Sequence, residues 1–147
     1  MEKTMQVGQI MTTDVIFLGP NDTMDRVQRI FRAHNIHHIP IIDGEKVVGI
    51  ISKSDYLKLL HGFTLFKTHK SDEYNDAIMR SLLVKEVMTK QVATVNPEDT
   101  IELAAGFFRE NLFHALPVVD EHGSLVGILT TFDLLNYAFN EPSLLHE

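Results

Sequence analysis

A shift of 77 residues lays one half of this 147-residue chain over the other. It aligns Val7 with Val84, Met11-Thr12 with Met88-Thr89, Pro20 with Pro97 and Asp22-Thr23 with Asp99-Thr100. It also aligns Phe31-Arg32 with Phe108-Arg109, His37 with His114, Pro40 with Pro117 and Asp43 with Asp120. One extra residue in the turn Asp120-Glu121-His122-Gly123 makes the shift 78, which brings Gly49 onto Gly127 and Asp55 onto Asp133. Matches spread over a whole unit in one register mark a duplication. A chain of this length folds as one compact unit or as two small ones sharing a core.

Each copy has the same grammar. Val15-Ile16-Phe17-Leu18 and Val92-Ala93-Thr94-Val95 are short extended segments, ended by Gly19-Pro20 or Asn96-Pro97. Asp22 and Asp99 are expected helix N-caps, with Asp25 and Glu102 three places on. The apolar stripes Met24, Val27, Ile30, Phe31 and Ile101, Ala104, Phe107, Phe108 have the spacing of helix faces buried on a sheet. Two apolar runs follow in each copy. Asp43-Gly44 is a tight-turn signal that pairs the first two antiparallel, and Pro40 and Pro117 belong at strand starts or edges.

The second of those runs carries the most chemistry. Val48-Gly49-Ile50-Ile51-Ser52-Lys53-Ser54-Asp55 recurs as Val126-Gly127-Ile128-Leu129-Thr130-Thr131-Phe132-Asp133. In both, a strand ends in a hydroxyl residue and an aspartate follows three places later, where a helix opens. A hydroxyl and a carboxylate at such a junction can reach one polar ligand together, and helix-start N–H groups favour anions nearby. The competing reading is plain N-capping.

Between the copies lies the least symmetrical stretch. His61-Gly62 reads as a helix stop, and Lys67 to Ser71 as a polar stretch. Residues 72–83 read as an amphipathic helix with Tyr74, Ala77, Ile78, Ser81 and Leu82 on its apolar stripe, packed on its own chain. The expected organisation is therefore residues 1–62 as first repeat, 63–83 as linker and 84–147 as second repeat.

Composition narrows the function. A net charge of −7 argues against nucleic-acid binding by bulk electrostatics, which needs clustered basic residues. With no cysteine, disulfides, zinc–thiolate sites and iron–sulfur clusters are ruled out on this chain. No apolar run is long enough for a membrane span and the first residues are no signal peptide, so a soluble cytoplasmic protein is expected. No nucleophile–base pair, glycine-rich phosphate loop or paired-carboxylate motif is present, and no enzyme is expected. The run His34-Asn35-Ile36-His37-His38 lacks a third ligand at recognisable spacing, so no metal is expected there. Arg32 and Arg109 read as helix-end cations on solvated faces.

Two such units resemble a tandem cystathionine-β-synthase (CBS) domain pair, or Bateman module, over Val7 to Tyr137. The resemblance rests on Ile10-Met11-Thr12 and Val87-Met88-Thr89, the helices beginning Asp-Thr, and the strands His38 to Asp43 and Ala115 to Asp120. The Gly-Ile-Ile-Ser and Gly-Ile-Leu-Thr strands, running to Asp55 and Asp133, complete it. It implies an α+β fold of two β-α-β-β-α CBS repeats packed about a pseudo-two-fold axis. It also implies two clefts that take an adenosine-containing ligand: AMP, ADP, ATP, S-adenosylmethionine or a dinucleotide.

Carried onto this chain, the resemblance implies a first cleft of Ser52, Ser54 and Asp55 with Gln91, Ala93, Phe113, His114 and Ala115. The second would join Thr130, Thr131 and Asp133 to Asp14, Ile16, Ile36, His37 and His38. The aspartates would accept from ribose hydroxyls, the Ser and Thr hydroxyls would approach phosphate, and Ile36 or Phe113 would cover the adenine. An ionised carboxylate can accept from both hydroxyls of a cis-diol, at about 1.5–3 kcal/mol per charged bond. His38, with Ala115 as its counterpart, tilts the expectation for a phosphorylated ligand toward the Asp133 cleft, although Asp14 would oppose phosphate and Lys53 stands beside Asp55. The histidines could make phosphate binding pH-sensitive.

The expected function is a regulatory module that senses nucleotide level, acts on a separate and unknown partner, and forms a homodimer, with no required cofactor. The alternative is an interaction or structural scaffold with empty clefts.

Overall fold

The turn residues set the two hairpins. In a computed structural model describing residues 5–63, 69–110 and 114–139, strand β1 (His38–Asp43) pairs with β2 (Lys46–Ser52), and β3 (Ala115–Val119) pairs antiparallel with β4 (Leu125–Thr130). Gly44 and Gly123 take φ of 65° and 82° in the connecting turns, a region that favours glycine. The longer second turn is organised by Asp120, whose Oδ1 accepts from the backbone N–H of His122 (2.9 Å) and Ser124 (3.0 Å). Pro117 faces Ile128 in the ladder, and its carbonyl accepts from Val95 N at 3.1 Å, so the proline serves where only an acceptor is needed. Pro40 accepts likewise from Leu18 N at 3.2 Å.

Two sequence expectations shift here. The segments around Val15 to Leu18 and Val92 to Val95 contribute single parallel bridges, Leu18 to Ile41 and Val95 to Val118. The N-caps of α2 (Met24–Ala33) and α6 (Ile101–Arg109) are Thr23 and Thr100, one place later than the aspartates. Asp22 and Asp99 instead close the preceding turns, accepting from Gly19 N and Asn96 N at 2.7 Å each. A short carboxylate serves a turn as readily as a helix start.

The α2 stripe packs as its spacing predicts: Met24, Val27 and Phe31 are buried, Ile30 packs against them, and Gln28 is buried as well. In α6 Ala104 is buried and Phe107 and Phe108 pack around it. Helix α3 (Lys53–Phe63) runs past the expected stop at His61-Gly62, and α7 is Thr131–Phe139. Of the polar stretch between the copies, Lys67 and Thr68 lie outside the described residues. His69 opens α4 (His69–Ser81), earlier than expected, and α4 packs on α2 and α3. Its buried positions are Asn75 and Met79, with Ile78 partly buried, as is Leu82 just past its end, while Tyr74 is 67% exposed. The buried face is therefore turned one position from the expected stripe.

The compact units do not follow the repeats. One, the Asp133 unit, comprises Met1–Val15, Glu45–Val47 and Val92–Glu147; the other, the Asp55 unit, comprises Ile16–Gly44 and Val48–Gln91. In the Asp133 unit the opening helix α1 (Val7–Ile10) docks on the second repeat: Val7 N donates to Asp99 O and Gly8 N to Pro97 O, both at 2.8 Å. Thr12 and Ile128 then exchange backbone bonds at 2.9 Å. In the Asp55 unit α5 (Val84–Val87) does the same on the first repeat, Val84 N donating to Asp22 O at 2.8 Å and Ile50 pairing with Thr89. Val7 and Val84 are fully buried. Each repeat's opening segment thus completes the other repeat's core.

Candidate functional site

In the Asp55 unit, β2 ends at Ser52, whose Oγ accepts from Asp55 N at 3.0 Å. The hydroxyl caps the first turn of α3 and satisfies one of its orphan N–H groups. Lys53 N donates to His37 O at 2.7 Å, which fixes the residue before β1 against the start of α3. Tyr56 is buried against Phe31, ring centroids 5.6 Å apart and tilted by 37°, which anchors that face of the helix in the core. Asp55, one place before Tyr56, is half-buried. Among the described residues, no hydrogen bond or ion pair reaches its carboxylate.

The equivalent junction in the Asp133 unit is occupied. Thr130 Oγ1 accepts from Asp133 N at 3.2 Å, and the Asp133 carboxylate accepts in return from Thr130 N at 3.0 Å. This reciprocal pair is a capping box. The same carboxylate accepts from Thr12 Oγ1 at 3.2 Å. Thr89, the counterpart of Thr12, makes no such bond to Asp55 among the described residues. Two copies of one sequence motif are thus in different states.

The remaining expected residues distribute as follows. Ser52, Ser54, Asp55, Gln91, Ile16, Ile36, His37 and His38 fall in the Asp55 unit; Thr130, Thr131, Asp133, Asp14, Ala93, His114 and Ala115 fall in the Asp133 unit. Phe113 lies outside the described residues. His37 stands with Lys53 of its own repeat, and His114 with Thr131, whose N–H donates to His114 O at 3.2 Å. Asp14 and Gln91 are exposed, whereas Ala115 is buried in β3 opposite Thr130. Sequence reasoning missed Thr12 as the partner of Asp133; its recurrence as Thr89 was the available signal. It also missed Leu57 and Lys58. With His37, Lys53, Ser54 and His61 they line an open concavity of about 500 Å³. Among the described residues no group of three or more His, Asp or Glu side chains is arranged to hold a metal.

A family model for the CBS domain matches residues 7–62 and again 84–140. Inosine-5'-monophosphate dehydrogenase of Korarchaeum cryptofilum is 35% identical over 82% of this chain, but the chain spans only 22% of that enzyme's length. Among solved structures, CBSX2 in complex with AMP superposes with a TM-score of 0.73 at 27% identity, covering 92% of this chain and 97% of that one. The protein is from Arabidopsis thaliana. The CBS domain pair of a protein designated MJ0100, in complex with 5'-methylthioadenosine and S-adenosyl-L-methionine, superposes with a TM-score of 0.75 at 25% identity. There the match covers 94% of this chain and 98% of that one.

Proposed function

The chain belongs to the CBS-domain family, and on that footing we propose that it is a regulatory module which binds an adenosine-containing ligand at Asp55 and signals to a partner protein. The observation that carries this reading is the state of Asp55. The residue is half-buried, its backbone is held by the Ser52 cap beside the Tyr56 anchor, and its carboxylate is unengaged among the described residues. A fixed, unpaired acceptor suits a ribose diol. Further support comes from the two solved pairs, whose ligands all carry adenosine. Asp55 is favoured over Asp133, toward which the sequence tilts, because Asp133 already accepts from Thr12 and Thr130.

The module performs no chemistry of its own and needs no cofactor for its fold. Its effect is a population shift: a ligand that binds one arrangement better than another changes the surface offered to a partner. A second copy of the chain is the first such partner. Phe132, Leu135 and Phe139 lie on one face of α7 at helical spacing and are 69%, 57% and 72% exposed, an apolar stripe suited to burial between copies. Among the described residues no helix is long and apolar enough to cross a membrane, which is compatible with a cytoplasmic setting.

Calorimetry against AMP, ADP, ATP, S-adenosylmethionine and 5'-methylthioadenosine tests the reading. One or more should bind, and Asp55→Ala should abolish the dominant event. Binding that survives both Asp55→Ala and Asp133→Ala sinks the assignment. Absence of binding across the panel leaves the scaffold reading, which the internally occupied Asp133 favours for that half.

A further inference from the structure

We propose that α4 is a releasable strap: it opens from α2 and α3 while the rest of the Asp55 unit stays folded, and the buried amide of Asn75 keeps that opening easy. The grip of α4 is narrow. Of its described side chains only Asn75 and Met79 are buried, with Ile78 partly so. Met79 is the apolar anchor, fully buried in the same cluster as Phe31 and Tyr56. Asn75 works against it. Its Oδ1 is buried and meets no hydrogen-bond donor among the described residues. An orphaned acceptor destabilises the packed state by an amount of the same order as a buried apolar side chain stabilises it, so the inner face contributes little net attraction. Nor would α4 hold its form alone. It has 13 residues, a length at which an isolated helix is marginal in water, and Tyr74, Asn75, Asp76 and Ser81 are weak helix formers.

The other half of the duplication shows that the face under α4 can stand open. Shifts of 77 and 78 residues bring Phe31 onto Phe108 and Tyr56 onto Leu134. The Asp133 unit has no counterpart of α4 among the described residues, and there Phe108 and Leu134 are partly exposed, where Phe31 and Tyr56 are buried. Gln28 is buried in α2, and Ala105 at the same position of α6 is partly exposed. Helices α6 and α7 nonetheless keep their form. The repeat therefore folds without a cover. The hinge lies just past α4, where Leu82 O accepts from Met24 N and Lys85 N donates to Pro20 O, both at 2.9 Å. With the bond from Val84 N to Asp22 O, these hold the junction to α5, so α4 can leave while α5 stays docked. Its opening bares the Phe31 and Tyr56 rings on the helices it covered.

Native-state hydrogen exchange, followed by NMR on the full chain without ligand, tests the strap. In the parent, the amides of Asn75 to Ser81 should exchange about tenfold or more faster than those of Val27 to Phe31 in α2, after correction for intrinsic rates, and should depend less on urea. Asn75→Leu removes the orphaned amide and should slow α4 exchange by about tenfold; Asn75→Ala, which adds no volume, should also slow it. Met79→Asp puts a charge at the anchor and should strip protection from α4 while α2 and α5 stay protected. The parent measurement needs no variant to fold. Exchange of α4 and α2 at one common rate, faster α4 exchange in both Asn75 variants, or loss of α2 and α5 protection together with α4 in Met79→Asp would overturn the proposal.

Discussion

Thr12 Oγ1 donates to the Asp133 carboxylate at 3.2 Å although 121 residues separate them in sequence. The bond ties the opening segment of the chain to the first turn of α7, next to the backbone pair between Thr12 and Ile128. A ribose taking Asp133 would have to displace a group the chain itself supplies.

Thr12→Val removes that donor while keeping the side-chain shape. The contact is exposed, so the loss of stability should be small, about 0.5–1 kcal/mol in urea unfolding. Any adenosine binding at Asp133 should strengthen, because its competitor is gone. A stability loss with weakened binding would show that Thr12 helps to hold the ligand.

The paired glycines of the repeated strand predict a second effect. A Cβ on Gly127 would lie 2.6 Å from Met11 Sδ and 2.9 Å from Thr12 O; one on Gly49 would lie 2.8 Å from Met88 Cγ and 3.0 Å from Thr89 O. The methionine can move, but the carbonyl belongs to a paired backbone. Gly127→Ala and Gly49→Ala should each cost about 1–3 kcal/mol. Trimming the methionine, as in Gly127→Ala/Met11→Ala, should recover little, since the carbonyl clash remains. Full recovery would place the tight contact in the side chain alone.

Asp120 sets a pH dependence. Backbone N–H groups of Ser124 and then His122 hold its carboxylate below the usual aspartate range. A depressed folded value means that the ionised turn stabilises the fold above the unfolded aspartate's titration, and that this contribution is lost as pH falls through the folded value. Carbon-detected NMR titration of Asp120 should give a midpoint below that of an unstructured aspartate. In Asp120→Asn the stability difference from the parent should shrink as the solution is acidified through that midpoint. A midpoint at or above the unstructured value would contradict the turn geometry.

The duplication made the architecture legible. Gly44 and the α2 stripe report local rules of turn and helix, and each stands where those rules put it, whereas Pro117, expected at a strand start or edge, sits mid-strand in β3. What local patterns cannot carry is which distant segment a face meets. Val7 and Val84 read as unremarkable apolar residues, yet each is fully buried against the body of the opposite repeat. The one-position errors at Asp22, Asp99 and the α4 face have a related cause: a carboxylate suits a turn or a cap equally, and only packing decides. The site was half legible. Asp55 and Asp133 both stand out because their sequence contexts match, His38 tilts the sequence reading toward Asp133, and the difference between the two carboxylates lies in Thr12, which no local pattern assigns to either.

That difference supplies the last prediction. The Asp133 carboxylate closes a capping box and accepts from Thr12, whereas no bond reaches Asp55 among the described residues. Asp133→Ala keeps the Thr130 cap but removes the carboxylate half of the capping box and the Thr12 contact, and should cost about 1–2 kcal/mol. Asp55→Ala keeps the Ser52 cap, since that bond uses the Asp55 backbone, and should shift stability by less than about 0.5 kcal/mol. Ligand binding should split the other way, with Asp55→Ala losing the dominant event and Asp133→Ala retaining it. Parallel thermal melts and calorimetry on the two variants measure both axes at once. Equal stability losses would mean that Asp55 has a structural partner. A dominant binding loss on Asp133→Ala would mean that ligand displaces Thr12, making the opening segment the element that responds to occupancy.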